Sequence, residues 1–188
     1  NMVNIPGKIS LKINWSFWIT AALIGYLSSR EIAGTIIWMA VIFISVLFHE
    51  FGHAITALSF KLQPRIELVA LGGLTHYQAD KLPAIKRFLI VLNGPLFGFL
   101  LFLFAYFLLQ NPILATSQLG FPLLLLKYVN FFWTIVNLLP VLPLDGGQLI
   151  RVILEGIFGF KGIKYAFIGS AVVALLISLL FFLYAQVF

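Results

Sequence analysis

From Thr35 to Phe60 the chain runs 26 residues with a single charged side chain, Glu50. Lipid offers a backbone no hydrogen-bond partners, so an apolar run at membrane depth must satisfy its own amides as a helix. At about 1.5 Å per residue this run crosses a hydrocarbon core of about 30 Å with some tilt. Similar runs recur at Asn14–Leu27, Pro83–Leu109, Phe121–Leu139 and Tyr165–Phe188. Hydrophobic residues make up 62% of the 188 and charged ones 10%, which excludes an ordinary soluble domain. The expectation is one domain over residues 1–188: an all-α polytopic membrane protein of about five transmembrane helices plus a short helix at Gln148–Phe158. Its core spans are about 35–60, 83–109 and 121–139. The first run lacks a small-residue cleavage site and reads as a retained span.

Two polar stretches interrupt the apolar runs. Residues 8–13 alternate, with Ile9, Leu11 and Ile13 on one side and Ser10 and Lys12 on the other, which predicts a short strand. Ile66–Leu71 is strand-like, Gly72-Gly73 signals a bend, and Leu74–Tyr77 can return. Together they predict a small β-sheet or hairpin on the cytoplasmic side. Asn93-Gly94-Pro95 interrupts the third long run and predicts a kink or a close helix contact.

The net charge of +6 does not point to nucleic acid, because the basic residues sit in short clusters between spans. With a cytoplasmic N-terminus, Lys8, Lys12, Lys61, Arg65, Lys81, Lys86, Arg87, Arg151, Lys161 and Lys164 all fall inside. Only Arg30 and Lys127 of the twelve fall outside. That asymmetry predicts a multi-pass protein whose N-terminus and active-site side are cytoplasmic. There is no cysteine, so neither a disulfide framework nor a thiolate metal site is available.

Inside the second run stands His49-Glu50-Phe51-Gly52-His53. On a helix, residues i and i+4 share a face, so both imidazoles can aim at one point. Zinc held that way needs a third protein ligand and keeps a position for water, and Glu50 can take that water's proton as general base. His53 lies seven residues from Phe60, roughly 10 Å along the axis, so the site is below the membrane surface. A chance match would leave an intramembrane glutamate without a task, which is expensive. The third ligand has four candidates: Glu67, His76, Asp80 and Asp145. The first three lie in a polar segment where charge is cheap. Asp145 stands in a broken apolar loop, Asn137 to Gly147, carrying Pro140, Pro143, Gly146 and Gly147, where an unpaired carboxylate is costly. Asp145 is therefore favoured.

The stretches Phe48–Ala54 and Asn137–Gly147 resemble the two signature motifs of the site-2 protease family of intramembrane zinc metalloproteases. The resemblance extends to Gly72-Gly73 and to Asn93-Gly94-Pro95, and covers about Asn14 to Arg151. It implies one zinc per chain on His49, His53 and Asp145, with Glu50 as catalytic base and Asn137 as a polar contact to substrate or transition state. It also implies that an unwound substrate segment pairs with Ile66, Glu67, Leu68, Val69, Ala70 and Leu71 near Gly72 and Gly73, by strand addition. The implied activity is hydrolysis of a peptide bond in or near the transmembrane segment of a membrane-anchored substrate. Gly98 departs from the family pattern, which often has Asn three residues after the Gly-Pro. A sixth span, a PDZ domain or a regulatory domain is not visible, which predicts a minimal member or a shortened chain. Three rivals stand beside this reading. A CAAX-processing type would want a later glutamate, and only Glu155 exists. A proteolytically inactive adaptor has no need of Glu50. A metal transporter should offer ligands along several spans, where this chain has one cluster. Arg151 and Glu155, four apart, predict an ordinary helix pair.

Overall fold

The computed structural model describes residues 2–5, 9–70, 72–78 and 82–187. In chain order these form β1 (Met2–Ile5), β2 (Ile9–Ile13), α1 (Trp15–Ser29), α2 (Ile32–Ser59), β3 (Arg65–Val69), β4 (Gly72–His76), α3 (Ala84–Leu108), α4 (Pro112–Thr116), α5 (Gly120–Asn137), α6 (Asp145–Phe158) and α7 (Phe160–Val187). The chain is mostly helical, as its apolar runs require. Among the described residues, three helices are long and apolar enough to cross a membrane: Ile32–Ser59, Ala84–Leu108 and Phe160–Gln186. With 15 residues, α1 reaches only about 22 Å at about 1.5 Å per residue, short of a hydrocarbon core of about 30 Å. Most of α7 beyond Ser170 leaves its Leu and Phe side chains uncovered by protein, as a lipid-facing helix does. Several boundaries differ from expectation, and α2 begins at Ile32 instead of Thr35. The short helix begins at Asp145, and α7 begins at Phe160, straight after Gly159, whose φ of +59 with ψ −138 suits only glycine.

α2 is the axis of the bundle, touching α1, α3, α5 and the sheet. Its contact with α3 is close because both helices present glycine there. A Cβ on Gly52 would strike the carbonyl of Asn93, and one on Gly94 would strike the His53 ring. Pro95 is accommodated inside a continuous α3 rather than ending it.

The strands form one sheet in the order β1-β2-β3-β4, with β2 and β3 parallel and the other pairs antiparallel. Strand periodicity sends Ile66 and Leu68 inward, fully buried with Ile9 and Leu11 against Phe17 of α1 and Val46 and Ala54 of α2. The opposite face carries Lys12, Arg65, Glu67 and His76. Glu67 accepts hydrogen bonds from Lys12 Nζ (2.8 Å) and Asn14 Nδ2 (2.9 Å), which hold its carboxyl below the usual range. The sheet thus lies on the bundle with its apolar face toward α2.

Glu155 does not take Arg151. It accepts from both terminal guanidinium nitrogens of Arg87, each at 3.0 Å, and so ties α6 to α3. A planar fork from a facing helix matches a carboxylate bidentately, which a neighbour one turn away on the same helix does less well. Arg87 holds the Glu155 carboxyl below its ordinary range. A depressed pKa stabilises the fold above the unfolded-state value and ceases to do so as pH falls through the folded one. We expect Glu155→Gln to lower the melting temperature slightly, by an amount equivalent to up to about 1 kcal/mol, and to flatten the acid limb of a melting-temperature profile.

Candidate metal centre

His49 and His53, one turn apart on α2, bring their Nε2 atoms to 3.2 Å from each other. Asp145, the first residue of α6, places Oδ2 3.0 Å from His49 Nε2 and 3.5 Å from His53 Nε2. All three residues are buried. Tetrahedral zinc with bonds of about 2.0–2.2 Å sets its ligand atoms roughly 3.3–3.5 Å apart, so the triangle fits such an ion. Asp145 Oδ2 is buried without a hydrogen bond of acceptable geometry, despite its closeness to both rings. An orphaned carboxylate oxygen facing two imidazole nitrogens has the chemistry of a cation site. His49, Glu50 and His53 also form a buried group able to hold an ion.

Each candidate ligand is held by its element. His53 Nδ1 lies 2.8 Å from the carbonyl oxygen of Ile90 on α3, an acceptor that puts the proton on Nδ1 and leaves Nε2 free to coordinate. The bare backbone at Gly94 makes room for that ring. Asp145 follows the irregular segment Leu138–Leu144, which folds against the start of α6 so closely that a Cβ on Gly146 or Gly147 would overlap its backbone. The amide of Leu142 in that segment donates to Ser170 Oγ of α7 at 2.7 Å. A broken backbone among apolar helices is tolerable when its amides are answered in this way.

Glu50 points toward the sheet. Its Oε2 accepts a 2.6 Å hydrogen bond from Thr75 Oγ1 on β4. The backbone of β4 passes so close that a Cβ on Gly73 would overlap the Glu50 side chain. Nothing local in the sequence singles out Thr75. The period-two register that puts Ile66 opposite Thr75 and Leu68 opposite Gly73 turns both toward α2, but only once the hairpin is known.

A cavity of about 310 Å³ opens beside these groups, bordered by His49, Glu50, His53, Asp145, Asn137 and the length of β4. The Asn137 side chain donates to the carbonyl of Trp133 (2.9 Å), which leaves its amide oxygen toward other partners. The other candidate ligands do not join the triangle. Glu67 is engaged on the outer face, His76 is exposed with Nε2 3.8 Å from Glu67 Oε2, and Asp80 lies outside the described residues. The strand expected to take a substrate edge-on is interior instead: β3 is bonded to β2 on one side and β4 on the other, and the Ile66 and Leu68 side chains are core. Leu71 lies outside the described residues. Gly72 and Gly73 belong to β4, whose other edge carries no strand among the described residues.

Residues 37–115 and 110–183 match the sequence model of Peptidase family M50. The chain is 33% identical over 128 residues to the zinc metalloprotease MJ0392 of Methanocaldococcus jannaschii, covering 66% of this chain and 37% of that protein. It is 31% identical over 144 residues to stage IV sporulation protein FB of Bacillus subtilis, covering 76% of this chain and 46% of that one. The chain therefore spans less than half the length of these curated relatives. The solved site-2 protease from Methanocaldococcus jannaschii superimposes with a TM-score of 0.70 at 26% identity, over 99% of this chain and 86% of that one.

Proposed function

Because the chain belongs to peptidase family M50, we propose that it is an intramembrane zinc metalloprotease hydrolysing a peptide bond in or near the transmembrane segment of a membrane-anchored substrate. The observation that carries this reading is the triangle of His49, His53 and Asp145, with ligand atoms 3.0–3.5 Å apart and Glu50 adjoining. In this reading one zinc binds per chain. Bound there, it would supply a Lewis acid that lowers the pKa of a water to about 7 and polarises a carbonyl.

The residues of the chain do the remainder. Glu50 accepts the proton of the attacking water and passes it to the leaving amine as the C–O bond forms and the C–N bond breaks. Thr75 fixes the rotamer of Glu50 by its hydrogen bond, and Gly73 lets the substrate-side strand lie against that carboxylate. A peptide bond within a helix has its carbonyl engaged, so the substrate must unwind before attack. The outer edge of β4, Gly72 to His76, which no strand among the described residues covers, offers partners for the extended segment by strand addition. Asn137 borders the same cavity and can bond a freed substrate carbonyl or amide. An apolar cavity of about 500 Å³ between α1, α2 and α5 shares Gly72 and Trp133 with the metal-side cavity. It suits the apolar part of a substrate on its way to β4.

We read α1 and α5 as short spans beside α2, α3 and α7, giving five crossings, with the N-terminus and the metal site toward the cytoplasm as the basic residues indicate. The test is metal analysis of the purified chain beside cleavage of a single-pass substrate in vesicles. We expect about one zinc per chain, loss of cleavage on chelation and recovery on adding zinc. Cleavage that persists after complete removal of the metal would falsify the proposal.

A further inference from the structure

Three buried polar atoms on the facing helices α2 and α5 have no hydrogen-bond partner among the described residues: His49 Nδ1, Thr134 Oγ1 and Asn130 Oδ1. Buried polar groups are nearly always paired, through protein or an ordered water, so three orphans together call for an explanation. Asn130 and Thr134 are one turn apart on α5, and both are buried. Across from them, Asn130 Nδ2 donates to Ser45 Oγ at 2.9 Å, and Ser45 is one turn before His49 on α2. The same amide nitrogen also donates to the Leu126 carbonyl at 2.8 Å. A carbonyl can only accept, so the nitrogen faces Leu126 and the oxygen Oδ1 is the atom left over.

Gly98 on α3 borders the same space. A Cβ built there would lie 3.0 Å from Thr134 Oγ1 and 3.8 Å from His49 Nδ1. Both orphans therefore edge the room that this glycine leaves. Their capacities are complementary. A histidine whose Nε2 faces the metal position carries its proton on Nδ1 and must donate it. A threonine hydroxyl can accept and donate at once, and an amide oxygen can only accept.

We propose that Thr134 is the positioning residue of the His49 imidazole, its hydroxyl holding, through one water beside Gly98, the hydrogen bond of Nδ1–H. The hydroxyl proton is then directed along α5 to Asn130 Oδ1, whose amide is anchored on Ser45. Every orphan is answered in one direction: imidazole N–H, water, hydroxyl, amide. His53 has its orienting acceptor in the Ile90 carbonyl, and this relay gives His49 its own. An outer partner of this kind fixes the ring's tautomer and orientation and raises its basicity as a ligand. The proposal rests on the zinc reading above.

The test is zinc affinity of the full-length chain in detergent, measured by competition with a chromophoric chelator. Thr134→Val, which keeps the shape and removes the hydroxyl, is expected to weaken zinc by about 10–100-fold. Thr134→Ser should restore the wild-type affinity. Gly98→Ala, which leaves the hydroxyl intact but fills the water's place, should weaken zinc in the same direction. Wild-type affinity in Thr134→Val overturns the proposal, as does an equal loss in Thr134→Ser, because the hydroxyl would not then be the cause. Wild-type affinity in Gly98→Ala removes the bridging water. A wild-type chain that binds no zinc overturns the metal reading itself, a result distinct from all three.

Discussion

Glu50→Gln should retain zinc at the wild-type level and lose about 10²–10⁴-fold in the rate of substrate cleavage. Glutamine has the shape of glutamate, and its amide oxygen can still accept the 2.6 Å hydrogen bond from Thr75 Oγ1. The side chain should therefore stay where β4 holds it, against the backbone of Gly73. His49, His53 and Asp145 are not altered, so the ligand triangle survives. What the substitution removes is the ability to take a proton from water, since a neutral amide is no base at ordinary pH. Loss of activity with full metal content separates proton transfer from metal binding. A variant that still cleaves a single-pass substrate at the wild-type rate would take Glu50 out of the mechanism.

The motif behind that prediction is legible in the amino-acid sequence, and the reason is local. His49, Glu50 and His53 lie within five residues, and helical period alone puts both imidazoles on one face. The apolar runs are equally legible, because lipid leaves a backbone so few options. Partners from distant parts of the chain are less legible. The parallel register of β2 with β3 joins Ser10 to Arg65, and no local pattern announces it. Without it β3 looks like an open edge, whereas it is the middle of the sheet. Glu155 has a plausible partner one turn away in Arg151, yet Arg87, 68 residues earlier, takes it because α3 and α6 pack together. Thr75 is a short polar residue in a strand-like stretch, and only the pairing with Ile66 turns it toward Glu50. Asp145 is legible for a different reason. Its surroundings in sequence are apolar and broken by proline, so its charge demands compensation from somewhere.

From that demand comes the second large effect. Asp145→Ala should weaken zinc by more than the roughly 10–100-fold that the loss of an outer hydrogen-bonding partner costs, because it removes one of the three proposed ligands. His76→Ala should leave zinc unchanged, since that ring is exposed and nearest to Glu67 on the outer face of the sheet. The reverse pattern, with metal lost in His76→Ala and kept in Asp145→Ala, would undo the ligand assignment. Stability gives a second, independent reading of the same site. A ligand that binds only the folded state stabilises it by about 2.7 kcal/mol when present at a hundred times its dissociation constant. Zinc should therefore raise the melting temperature of the wild-type chain markedly and that of Asp145→Ala hardly at all. In the metal-free state the order of stability can reverse. The buried Oδ2 of Asp145 has no hydrogen bond of acceptable geometry, and removing a buried carboxylate relieves its desolvation cost. An alanine variant that melts no lower than wild type without metal, yet well below it with zinc, is the signature of a carboxylate retained for the cation and not for the fold.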